Sequence, residues 1–336
     1  MNAPKCNEYD YIDFLIATPR VYSCTEAARV QPQHDDAPAH DAINRLLLRI
    51  DIDSDDLWQE ARHQVEPDNG VLVLDNSTLD KQYAKKIELV SRHWSGKHRK
   101  VVCGINLITL LWTDGDRYIP CDYRLYDKPT DGSTKNDHFR KMLATAKQRG
   151  FTPKCVLFDS WYGSLDNLKT IRNLGWFWLT QLKSNRQVDP DRSGNRAISE
   201  VDIRESASIL HLKGYGFIKV LKLVAKNGDI EYWATNKVDM TELERVKFTD
   251  MAWTIETYHR GIKQFCGVER CQARKGRAQR NHIGLALRAF LRLEIHCHKQ
   301  GMSWFEAKTS IIREAVRAYL AKPLFTLSPT AQLLFE

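Results

Sequence analysis

Apolar positions along this chain change their spacing twice, and each change marks a different kind of element. Through residues 1–66 the spacing is helical: Tyr11-Ile-Asp-Phe-Leu-Ile and Ala39-His-Asp-Ala-Ile-Asn-Arg-Leu-Leu-Leu-Arg repeat apolar side chains at turn-to-turn intervals. Ser23-Cys-Thr-Glu offers a hydroxyl cap with an acid just inside a further helix, and the Pro-bounded polar run 31–38 predicts a loop. From residue 71 continuous apolar runs take over, at 71–74, 101–112 and 118–126, with a turn at Asp114-Gly-Asp, as in an antiparallel meander. A helical pattern over 136–148 stops at Gly150. It is followed by a buried-type strand at 155–158, a helix at 165–173 and a strand at 176–182. Residues 184–195 are loop-like, and the strand runs 216–224 and 230–234 flank the hairpin signal Lys226-Asn-Gly-Asp. Beyond Asp250 the spacing is helical again, over 250–265, 280–299 and 303–321, ending before Pro323.

The order β-β-β-α-β-α-β predicts an α/β fold with a ribonuclease-H-like mixed-sheet core. The shifts divide the chain into five regions: a helical N-terminal domain (1–68), the first stretch of the core (69–183), a β-rich insertion (184–247), a helix that completes the core (248–300) and a helical C-terminal tail (301–336). Short helices joined by tight loops make residues 1–68 either a helix-turn-helix-like DNA reader or a packing and dimerisation domain.

Charge sharpens the picture. The net charge is +8, but residues 1–70 hold 6 Lys/Arg against 14 Asp/Glu, while residues 257–322 hold 14 against 4. The basic excess of the C-terminal region reads as a positive surface suited to a polyanion, and it argues against a neutral sugar as substrate. The eight cysteines are scattered with no CxxC pair, and Cys266 and Cys271 with His296 and His298 match no common zinc spacing. No signal pattern and no apolar run near 18 residues is present, so the expectation is a cytoplasmic, nucleoid-associated protein without membrane contact.

Three acids stand out. Asp75 closes VLVLD, Asp159 closes CVLFD, and Glu256 lies seven residues before Lys263 in WTIETYHRGIK. Singly, each has an ordinary reading: Asp159 as a turn former, Glu256 as an i, i+4 partner of Arg260. Together they fit one site, because the first and fourth strands of such a core are neighbours and the helix after the last strand crosses the same edge. Carboxylates so grouped suit two Mg²⁺ ions, with Mn²⁺ as a substitute, and in-line displacement at a phosphate. Lys263 and Arg260, on the Glu256 face of the helix, suit the phosphate itself. Asp80, Asp114, Asp116 and Asp122 are set aside as loop-like or mid-strand.

The segments VLVLDNSTLDK, VLFDSWYGS and IETYHRGIKQ resemble the DDE-class transposases of bacterial insertion sequences, in the branch with a β-strand insertion before the final Glu. The resemblance spans residues 70–300. It implies an endonuclease and strand transferase that cuts double-stranded DNA at its element's inverted-repeat ends and joins the 3′-hydroxyl ends to target DNA. A homodimer on DNA is implied as well. That branch carries Y-(2)-R-(3)-E-(6)-K, and here Thr249 and Ala252 stand at the first two positions. Tyr258, His259 and Arg260 are therefore expected to hold the DNA instead. Trp161 and Tyr162 read either as plain packing residues or as rings that stack on an unpaired base, and Arg274, Lys275, Arg277 and Arg280 are expected to meet the backbone. The rival readings are a non-catalytic DNA-binding regulator and another ribonuclease-H-like metal-dependent nuclease.

Overall fold

The computed structural model describes residues 3–32, 37–95, 100–127, 129–203, 207–224 and 227–323. Some of the expected loop at 31–38, the start of the expected hairpin turn at 226 and the end of the C-terminal tail lie outside these residues. One mixed sheet organises the chain. Strand β1 (Val71–Asp80) pairs antiparallel with β3 (Lys100–Thr113) on one side and parallel with β5 (Val156–Phe158) on the other. Strand β6 (Trp178–Leu182) runs parallel beside β5, while β2 (Ser91–Ser95) and β4 (Ile119–Tyr126) share the far edge of β3. The insertion continues the sheet rather than forming a separate body. Strand β11 (Ile230–Thr235) pairs with β6, β10 (Gly216–Val224) with β11, β9 (Ser208–Leu212) with β10, and the short β7 (Gln187–Asp189) and β8 (Arg196–Ala197) follow. Residues 184–195, expected as loop, thus contribute β7.

Helices α5 (Lys135–Gln148) and α6 (Leu165–Asn173) connect the strands, each opened by a hydroxyl cap, Thr134 and Ser164. The helix expected near 250 begins earlier, as α7 (Glu242–Phe265), because Thr241 and Glu244 form a capping box ahead of the apolar stripe. Helix α9 (Trp304–Ala321) is capped by Ser303.

Helix α8 (Gly276–Gln300) is buried on nearly every side, the pattern of a central core helix rather than a surface one. Against it pack α1 (Glu8–Ala17), α3 (His40–Arg49), α4 (Ser54–Ala61), α7 and α9. Asn281 accepts from the Ile52 amide at 2.9 Å and donates to Leu47 and Ile50 carbonyls, completing the end of α3. A Cβ at Gly284 would come within 2.6 Å of Ile52 and Tyr123, so only glycine permits this approach.

This arrangement corrects the reading of the basic C-terminal region. Three of its arginines meet the acidic N-terminal helices and the loop between them. Arg288 pairs with Glu8 at 3.1 Å and Glu60 at 2.6 Å, Arg292 with Glu60 at 3.1 Å, and Arg277 lies 4.0 Å from Asp51 while donating to the Ile50 and Arg49 carbonyls. Part of the opposite charge bias of the two ends of the sequence therefore lies in a single contact.

Candidate active site

The register of the central strands brings the two aspartates together. Leu74 pairs with Phe158 at the last position of the parallel β1–β5 ladder, so Asp75 and Asp159 are the next residues on adjacent strands. Asp75 does not end its strand, as the sequence suggested. Strand β1 runs on to Asp80 against β3, with Asp75 opposite Thr109, and it is β5 that stops. The edge of β1 is therefore uncovered from Asp75 onward on the side where Asp159 stands. Asp159 caps a short 3₁₀ turn, accepting from the Trp161 amide at 2.8 Å.

Helix α7 closes the third side. Ile255, Tyr258 and Ile262 face inward, which turns Glu256, His259, Arg260 and Lys263 to one open face. Gly261 lets the helix sit close, since a Cβ there would lie 2.7 Å from Phe290 and 2.8 Å from Trp304. Asp75, Asp159 and Glu256 all line one cavity of about 1390 Å³.

The electrostatics show two carboxyls whose ionisation is costly where they stand. Burial pushes the Asp75 carboxyl well above the usual carboxylate range, and the neighbouring Asp159 and Glu256 charges push the same way. Burial also raises Asp159, against the pull of the Trp161 and Tyr162 amides. Hard oxygen donors under such mutual repulsion fit a divalent cation. Among the described residues no three His, Cys, Asp or Glu side chains enclose an ion as they are placed. Glu256 is exposed at the cavity mouth, with room to turn.

Lys263 donates to the Thr78 carbonyl at 2.8 Å and lies 3.8 Å from Glu269, which fixes it on the cavity wall. Arg260 is exposed on the same wall. Lys135, which sequence reasoning missed, enters from the first turn of α5. Its Nζ donates to Asn76 Oδ1 at 3.2 Å and stands 5.3 Å over the Trp161 ring. Burial lowers it to about 8, while Asp75 and Asp159 hold it up. A signal was available: a lysine in a helix's first turn opposes the helix dipole, so its presence there asks for a reason.

The sequence profile of the family described as "Transposase DDE domain" matches residues 66–292. The chain belongs to this family. Its fold is similar to that of the piggyBac transposase, seen in a cryo-EM synaptic complex with hairpin DNA, at 11% identity and a TM-score of 0.58, covering 98% of this chain and 78% of that one. A Drosophila P element transposase strand transfer complex aligns with 12% identity over 93% of this chain and 64% of that one, at a TM-score of 0.27, too low to bear on the fold. No curated protein matches the sequence.

Within this DDE transposase domain, the structure buries two of the residues expected to contact DNA, Tyr162 and Tyr258, and gives the others the surroundings that follow. Tyr258 is 0% exposed and packs edge-on against Phe290 at 5.1 Å, so it belongs to the core. Tyr162 is likewise buried; its hydroxyl donates to Asn76 Oδ1 at 3.0 Å and its ring stacks on Phe139, leaving no face for a base. His259 lines the cavity, but burial drives it down to about 3, with Lys263 acting the same way, so a neutral imidazole stands 4.0 Å from Asp75. Arg277 is tied to the N-terminal helices. Arg280 is half-buried on α8 outside the cavity lining, and Lys275 pairs with Glu88 at 3.4 Å. Trp161 is different: it is 46% exposed on the cavity rim. Arg274 is exposed beside a neighbouring groove. Trp253, which opens the WTIETYHRGIK segment but was given no role, and Arg270, which lies outside the quoted segments, also line the cavity. Among the described residues no helix is long and apolar enough to cross a membrane.

Proposed function

We propose that this transposase cleaves DNA at the inverted-repeat ends of its own element and joins the 3′-hydroxyl ends to target DNA, acting as a homodimer on DNA. The observation that supports this best is the β1–β5 register, which sets Asp75 and Asp159 side by side where α7 brings Glu256 to the same cavity. Asp75, Asp159 and Glu256 are the residues that would hold divalent ions, Mg²⁺ or Mn²⁺; bound there, such ions supply activation of the attacking oxygen and charge neutralisation at the leaving one.

The remaining groups bind and orient. Lys263, with one donor on Thr78 and another toward Glu269, keeps its third for a phosphate oxygen. Arg260 adds a planar donor fork one helical turn from Glu256. Lys135 faces them across the cavity, so the phosphate is met by cations from two elements. Tyr162 and Lys135 together fix Asn76, the residue after Asp75, and so steady the strand that carries the acid. Trp161 presents a ring on which an unpaired base can stack.

The substrate for a test is DNA carrying the inverted repeats that bracket the reading frame. Asp75→Asn, Asp159→Asn and Glu256→Gln should each lower cleavage in Mg²⁺ by more than about a hundredfold, while gel-shift affinity changes little, since even outer-shell losses at metal sites cost tenfold to a hundredfold. Parent-like cleavage by any of the three, or full parent activity in excess chelator, would refute the proposal.

A further inference from the structure

Beside the catalytic cavity runs a second groove of about 640 Å³, and the two share Asp80, Glu269 and Arg270 in their walls. Two loops build it, residues 81–90 after β1 and residues 266–275 before α8. They are fastened together from within. Lys81 is buried and donates to the Glu269 carbonyl at 2.8 Å and the Cys271 carbonyl at 2.6 Å. The Glu88 amide donates to the Arg274 carbonyl at 2.9 Å, and its carboxylate accepts from the Gly276 amide at 2.7 Å, at the start of α8. Leu89 is held at a φ of 70°, a costly conformation for a branched side chain that the surrounding bonds must enforce.

What this fastened pair of loops presents outward is cationic. Lys85, Lys86, Arg270 and Arg274 are exposed along the groove, and none forms an ion pair with another described residue. Of the two acids in the wall, Glu269 lies 3.8 Å from Lys263. Tyr83, at the loop tip, is 87% exposed. Exposed cations without ion-pair partners among the described residues, on two loops fastened together beside a cavity that would receive a phosphodiester, suit further phosphates of the same polymer. On α8, by contrast, Arg288 and Arg292 are taken up by Glu8 and Glu60.

We infer that this groove carries the duplex DNA on one side of the reacting phosphate, with Lys85, Lys86 and Arg274 on its backbone. The inference rests on the proposed function and extends it by assigning the path of the DNA. The groove reads backbone, not sequence, and so serves any duplex threaded through the cavity.

The test compares the parent with the Lys85→Ala, Lys86→Ala, Arg274→Ala triple variant on an inverted-repeat duplex that extends well past the cleavage point on both sides. Each lost phosphate contact removes about 0.9 from the slope of log affinity against log salt, so three remove about 2.7. Between 50 and 200 mM salt the variant should then lose about 40-fold less affinity than the parent does. Two further duplexes end at the reacting phosphate, one from each side; on one of them, and only one, parent and variant should bind alike. The charge-keeping variant Lys85→Arg, Lys86→Arg, Arg274→Lys should retain the parent slope, which separates phosphate contact from loss of loop structure. An unchanged slope on the long duplex, or a difference that survives both shortenings, overturns the inference. Failure of the parent to cut such DNA in Mg²⁺ would instead count against the proposed function, because the slope comparison needs binding alone.

Discussion

Replacing Arg288 by Met tests whether the basic C-terminal region is spent inside the protein. The guanidinium is 4% exposed and lies between Glu8 and Glu60, at 3.1 and 2.6 Å. Methionine keeps much of the aliphatic volume, so the loss is chiefly electrostatic. Removing one partner of a buried ion pair costs about 3–5 kcal/mol when the other is stranded. Here Glu60 keeps Arg292 at 3.1 Å, and Glu8 is 27% exposed, so water can solvate it. Both reduce the penalty, to about 2 kcal/mol. The pH dependence follows from Glu60. Burial pushes its carboxyl up, but hydrogen bonds from Arg292 and Arg288 outweigh burial and hold it below its ordinary value of 4.5. A carboxyl depressed in the folded state stabilises above its unfolded pKa, and that contribution is lost as pH falls through the folded one. The gap between parent and variant should thus be full at neutral pH and shrink in acid below that ordinary value. Urea unfolding at several pH values measures it, with DNA affinity against salt alongside. A stability loss below about 0.5 kcal/mol, the level of an exposed pair, would refute the reasoning. So would a salt slope reduced by a full phosphate contact, since it would show Arg288 facing DNA.

Two further outcomes are expected. Lys135→Ala should weaken binding of the reacting phosphate by about 1.5–3 kcal/mol, a tenfold to hundredfold rise in KM for element-end DNA, with partial recovery in Lys135→Arg; parent-like kinetics would remove Lys135 from the site. Tyr258→Phe should leave DNA affinity unchanged and alter stability by no more than about 1.5 kcal/mol, as measured by gel shift and urea unfolding, whereas a clear fall in DNA affinity would return Tyr258 to the DNA surface.

The strands and the two aspartates were legible because apolar runs flanked on both faces leave a plain pattern, and because the β1–β5 adjacency follows from strand order alone. Glu256 and Lys263 were legible because the helical period places them on one face. Charge was only partly legible, for a physical reason: a sequence records the sign of a side chain but not its partner, and Arg288 and Arg292 look the same whether they meet phosphate or Glu60. Tyr162 and Tyr258 were ambiguous in the same way, since an aromatic ring beside a candidate catalytic acid can face a base or the core. Strands β2, β7 and β8 escaped notice because they are short and partly polar. The early turns of α7 did so because Glu242, Glu244 and Arg245 mask its period until the stripe begins.

The central position of α8 has a consequence for how the protein comes into being. Helices α1, α3 and α4 leave the ribosome more than two hundred residues ahead of the helix they cover. At roughly 5–20 residues per second, the interval between the end of α4 and the end of α8 is roughly 10–50 s. Throughout it the early helices lack the surface they pack on, and the contacts that join them span more than two hundred residues, a topology that folds slowly. Glu256, too, is synthesised long after the two aspartates whose cavity it shares. Until α8 is made a partial chain therefore lacks a finished interior, and until α7 is made it lacks the third acid of that cavity. Synthesis itself thus sets the order in which core and cavity are completed.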